Sequence, residues 1–125
     1  MRGSEIDLPI TVDVEELTIR ETDWGEMHVS LITCHKQLDI SSVLKGLPDD
    51  MCQCRHWGQI LKGKKVVKYK DHEEVLFGGD MYYMPPGHST ITEAGTTWVE
   101  FSPIDELEKT NEVVQRNLAK MHQSS

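Results

Sequence analysis

The chain reads as an all-β protein: short antiparallel strands closed into a barrel or sandwich, with one C-terminal α-helix packed outside. Three observations predict this. Short β-branched or alternating runs are punctuated throughout by Gly, Pro and Asp, the residues of tight turns. An amphipathic helical stripe stands in the tail, from residue 104 on. At 125 residues there is room for one core, and a single small open sheet would bury too little surface, so closure is expected.

The elements follow in order. "LPITVDV" and "ELTIRE" are short and β-branched. "WGEMHVSLITCHK" alternates, with Met27, Val29, Leu31 and Thr33 on one face and His28, Ser30, Ile32 and Cys34 on the other. "DISSVLKGLPDD" reads as a loop, given Gly46, Pro48 and its two terminal aspartates. "HWGQILKG", "KKVVKYK" and "EEVLFGGD" are strands separated by hairpin turns at Gly63 and at Asp71-His72. "MYYMPPGH" ends a strand at a Pro-Pro-Gly bend, because proline cannot donate to a ladder. "TTWVEFSP" is the last strand. In "PIDELEKTNEVVQRNLAKMHQSS" apolar residues fall at 104, 107, 114, 118 and 121, one face of a helix. Ser102 is expected to cap it, with Pro103 at its first position. The expected division is a barrel over 1–103, with its core motifs at 50–63 and 79–90, and a helix and tail over 104–125.

Composition narrows the function. A formal net charge of −8 argues against nucleic acid, whose phosphates require clustered Lys and Arg. No apolar run is long enough to span a membrane, and no leader is read at the start, where "MRGS" is set aside from fold reasoning. Three cysteines, Cys34, Cys52 and Cys54, fit reduced thiols in a cytoplasmic protein.

Two stretches stand out. One is "CQCRHWGQILKG", which sets Cys52, Cys54 and His56 two apart, on one face of a regular strand. The other is "GDMYYMPPGH", whose first glycine is separated from Gly63 by fifteen residues. Together they resemble the two-motif pattern of the cupins, small jelly-roll β-barrels, across roughly residues 26 to 103. The resemblance implies a cupin-type barrel with a ligand cavity, and sheet edges that commonly pair into a homodimer. The chain departs from the family's usual cage of three histidines and a glutamate. His56 stands at the glutamate position, Cys52 near a histidine position, and Thr90 where the second motif's histidine is usual, with His88 close by. A variant subgroup with Cys-x-x-x-His and "PPGH" is similar to this chain.

By that resemblance the two motifs lie side by side, so Cys52, His56 and His88 are expected to meet a divalent metal, zinc or iron, with Cys54 a possible substitute for Cys52. The plainer readings are a small buried hydrophobe for each cysteine and a hydrogen-bonded interior or loop histidine for His56 and His88. A Cys–His nucleophile pair is a further possibility. Glu100 stands between Val99 and Phe101; if these pack outward, its carboxyl enters the barrel as an acid or base beside His56, His88 and Tyr82. Trp57, Trp98, Tyr83 and His28 are the candidate ligand-binding residues, although large aromatics are more often core. Three functions stay open: a non-redox enzyme of lyase, dehydratase, isomerase or cyclase type acting on a small polar metabolite, a non-catalytic small-molecule or metal-binding module, and an iron-dependent oxygenase.

Overall fold

A computed structural model describes residues 1–4 and 7–123. Among the described residues ten strands form two antiparallel sheets. The strands are β1 (Ile10–Asp13), β2 (Leu17–Trp24), β3 (Met27–Cys34), β4 (Leu38–Asp39), β5 (His56–Lys62), β6 (Lys64–Lys68), β7 (Glu73–Phe77), β8 (Met81–Met84), β9 (Ser89–Thr92) and β10 (Thr97–Pro103). The larger sheet runs β1-β2-β3-β10-β5-β8 and the smaller β4-β9-β6-β7. Their inner faces meet in one apolar cluster: Cys34, Ile60, Met84 and Trp98 from the larger sheet, Val67 and Leu76 from the smaller. Ile60 is fully buried and Val67 only 1 % exposed, as alternating strands with a single core face require.

Register fixes what shares the interior. Glu100 lies opposite Ser30 on one side and Gly58 on the other, and Gly58 lies opposite Tyr82. Gly58 is where the backbone yields space: a Cβ there would stand 2.6 Å from the Tyr82 hydroxyl and 2.2 Å from the Val99 carbonyl oxygen. Gly63, at φ +98°, turns β5 into β6 with Thr96 close against it. Thr96 Oγ1 accepts from the Lys64 N–H at 3.0 Å and donates to the Lys64 carbonyl at 3.1 Å, so the hairpin is tied to the segment before β10.

Two local expectations are corrected, and one strand is added. The segment after β4 carries two 3₁₀ turns, Ser41–Leu44 and Pro48–Asp50. The residues after the Pro-Pro-Gly bend form β9, which pairs with both β4 and β6. Helix α1 (Ile104–Gln123) starts one residue after Pro103, which closes β10. Ser102 is not its cap, because its side chain faces inward.

Helix α1 does more than cover strands. Leu107 and Val114 pack with Ile40, Leu44 and Leu47 onto Cys52 and Cys54. Asn117 donates to the carbonyls of Val43 at 2.7 Å and Lys45 at 2.8 Å, which fixes the helix on the first 3₁₀ turn. Met121, at the end of the apolar stripe, is 49 % exposed. Among the described residues no helix is long and apolar enough to cross a membrane.

Candidate functional site

The interior is layered. Beyond the apolar cluster, toward the Cys52 end, lie His56, His88 and Glu100, with Tyr82 packed against the cluster and Lys65 over its Trp98 ring. His56 opens β5, and His88 immediately precedes β9. A backbone bridge joins the two motifs: the Cys52 N–H donates to the His88 carbonyl at 2.7 Å, and the His88 N–H to the Cys52 carbonyl at 3.2 Å. Cys52, His56 and His88 are all buried, and one ligand atom from each lies within 4.8 Å of the other two. The two imidazoles meet edge to face, with ring centroids 5.1 Å apart.

The hydrogen bonds orient the rings. His88 Nδ1 lies 2.7 Å from the Pro85 carbonyl oxygen, so Nδ1 carries the proton and the Nε2 lone pair is free. His56 Nδ1 is 2.6 Å from Ser102 Oγ and 3.6 Å from a Glu100 carboxylate oxygen, which leaves Nε2 facing Cys52 Sγ at 3.6 Å. Cys54 Sγ is 3.9 Å from His56 Nδ1, on the ring's other side. Tyr82 donates its phenol to Glu100 at 2.8 Å, in the space that Gly58 leaves open.

Burial sets the charge states. It pushes the Cys52 thiol up to about 11 and the Cys54 thiol up to about 12, the latter helped by the charges of Cys52, Glu106 and Glu100. Without a metal both are therefore thiols near neutral pH, and neither is an activated nucleophile. Burial also lowers His88 to about 4, so its ring is neutral, as a ligand must be. For Glu100 burial alone would favour the acid. The charges of His56 and Lys65 and the Tyr82 hydrogen bond outweigh it and hold the carboxyl below the usual range. Tyr82 is raised by burial and by the neighbouring Glu100 charge, so it remains a phenol.

The structure brings Cys52, His56, His88, Glu100 and Tyr82 together, and it separates the four candidate ligand-binding residues from them. Trp57 and Tyr83 stack on each other on the outer face, centroids 5.1 Å apart, with the Arg55 guanidinium over Trp57. They face outward because their neighbours His56, Gly58 and Tyr82 take the inward parity. His28 is held by Asp23 at 2.8 Å and Glu21 at 3.4 Å, a charged cluster of its own on β2 and β3. Trp98 is inside but in the apolar cluster. Cys54, the possible substitute ligand, packs under α1 with Cys52.

Three residues were missed. Lys65 is not among the candidates read from the sequence, yet it is 3 % exposed. The parity of "KKVVKYK" held the signal, since Lys65, Val67 and Tyr69 share a face and Val67 is core. Ser102 was read as a cap. Tyr69 lines a surface recess of about 330 Å³ with His72, Pro86 and Gly87, and its ring contacts that of His88, so this recess reaches the cluster's His88 side.

No family model matches the chain, and no curated protein matches it. Solved structures do. An RmlC-like cupin from Shewanella frigidimarina aligns at 17 % identity and TM-score 0.55, over 81 % of this chain and 88 % of that one. The polyketide cyclase RemF from Streptomyces resistomycificus aligns at 13 % identity and TM-score 0.58, over 83 % and 79 %. A cupin-2 domain from Rhodospirillum rubrum aligns at 11 % identity and TM-score 0.56, over 82 % and 74 %. The chain thus has the cupin jelly-roll fold, with a Cys/His/His group inside it that can hold a metal.

Proposed function

We propose that this cupin holds a divalent metal at Cys52, His56 and His88 and carries out non-redox, acid–base chemistry of the lyase, dehydratase, isomerase or cyclase type on a small polar metabolite. One observation carries the reading: three ligand atoms converge within 4.8 Å, and a buried carboxylate–phenol pair stands against one of them. One thiol and two imidazoles suit zinc and serve ferrous iron, and three protein donors leave a coordination position for water or substrate. When bound, the ion supplies Lewis-acid polarisation and a lowered pKa for a coordinated water.

The chain's own residues do the rest. Glu100 is ionised and shielded, so it accepts a proton from a bound molecule. Tyr82 fixes the carboxylate's orientation by donating its phenolic hydrogen bond to it. Ser102 locks the His56 ring, and Pro85 locks His88. The likeness to a polyketide cyclase supports the non-redox class over oxygenase chemistry.

A second reading has its own support. Cys52, His56 and His88 are 4 %, 8 % and 1 % exposed, which suits a non-catalytic cupin with a sealed metal. Metal analysis of the full chain purified without added metal tests both. About one zinc per chain, lost in Cys52→Ala and His88→Ala, supports the metal site. A chain that keeps neither zinc nor ferrous iron after loading overturns it. Exchange of the bound ion with a small chelator within minutes favours the enzyme, and resistance short of unfolding favours the sealed module.

A further inference from the structure

Helix α1 docks through an apolar stripe, yet its most enclosed side chain is polar. Among its described residues Thr110 alone is buried, at 6 % exposed. It stands three residues after Leu107 and four before Val114, on the face that these two press onto Cys52 and Cys54. The stripe at 104, 107, 114, 118 and 121 skips one turn, and Thr110 fills it. An aliphatic side chain would satisfy packing there, as one does a turn to either side. A buried hydroxyl costs free energy unless it is hydrogen-bonded. Its partner here is the Cys52 sulfur. Burial opposes a thiolate at Cys52, and the Thr110 hydroxyl hydrogen-bonds to the sulfur in the sense that favours one.

This contact reaches Cys52 from outside the ligand group. Cys52 Sγ meets His56 Nε2 at 3.6 Å on the barrel side, and Thr110 meets the sulfur from the helix. A hydroxyl serves both states of that sulfur: it accepts from a thiol, and it rotates to donate to a thiolate. Metal binding requires the second state, because the ligand is the thiolate and its proton must leave. We infer that Thr110 is a positioning residue for the metal site: its hydroxyl donates a hydrogen bond to the Cys52 thiolate, orients the sulfur and draws electron density from it. Helix α1 is then a working part of the site as well as its cover.

This deepens the function proposed above and rests on it for Cys52 as a ligand. Ser102 holds the His56 ring, and the Pro85 carbonyl holds His88. Thr110 completes the set, with one outer partner for each of the three ligands. A hydrogen-bonded thiolate gives up less charge than a bare one, which preserves the Lewis acidity that non-redox chemistry uses.

Cobalt(II) added to the full chain tests this, since a thiolate on cobalt gives a charge-transfer band in the near ultraviolet. The wild type is expected to show that band and Cys52→Ala to lack it. Thr110→Val keeps the volume and loses the donor. The band then moves to longer wavelength, and zinc is held about tenfold less tightly in competition with a chromophoric chelator. Thr110→Ser restores both. If Thr110→Val does not fold by circular dichroism, Thr110→Ala decides instead. A hydroxyl that only packs the helix would change stability and leave the band in place. The inference alone is overturned if the wild type shows the band and loss of the hydroxyl leaves it unmoved, or if Thr110→Ser fails to restore it. A wild type without the band overturns Cys52 as a ligand, and this inference with it.

Discussion

The two ends of the barrel interior are built from the same strands and differ in every other respect. On β5, Ile60 closes the apolar end and His56 opens the polar one; on β10, Trp98 and Ser102 do the same. The apolar end is held by close packing, where loss of a few methyl groups leaves a void. The polar end is held by hydrogen bonds that each fix one ring or carboxylate. Stability should therefore reside at one end and metal and ligand capture at the other, and substitutions can break that division.

The largest effect is expected on metal capture. Cys52→Ala or His88→Ala should reduce bound zinc from about one per chain to near none, by elemental analysis, while the metal-free chain stays folded. Equal metal in variant and wild type would end the division of labour. Next, Ile60→Ala at the apolar end should cost roughly 3 kcal/mol of stability in urea unfolding and leave the zinc content unchanged.

A pH series sharpens the contrast. In the metal-free chain His88 has a folded pKa of about 4, below its unfolded value of 6.5. Between these values the unfolded state binds the proton and the folded state does not, so stability falls as the pH drops from 6.5 toward 4. From pH 7 to pH 5 this amounts to roughly 2 kcal/mol. His88→Gln should remove most of that slope, and a slope of equal size in the variant would assign it elsewhere. The smallest effect belongs outside: Trp57→Ala, on the exposed stack, should change stability by about 1 kcal/mol or less and leave metal content unaltered.

This contrast also explains what was legible in the sequence. Alternation marks which residues share a face, turn residues mark where strands end and the tail's apolar stripe marks a helix, so the barrel and the C-terminal helix could be anticipated, and the conjunction of the two motifs was what the cupin resemblance implied. Alternation does not say which face is inward. Glu100 was tied to that choice, and it is decided by Val99 and Phe101, which line an outer recess with Leu8 and Val29. The same undecided parity placed Trp57 and Tyr83 among the ligand-binding candidates and left Lys65 unremarked. Ser102 satisfied a local capping rule, but a buried imidazole offered its hydroxyl a stronger partner. A long-range contact of that kind has no short-range sequence signal.

Helix α1 lies over the two cysteines and is made last of all these elements. Once Leu107 and Val114 dock, that side becomes a wall. An ion held at Cys52 would then be shielded on the helix side, and the recess beside Tyr69 and His88 would be its other approach.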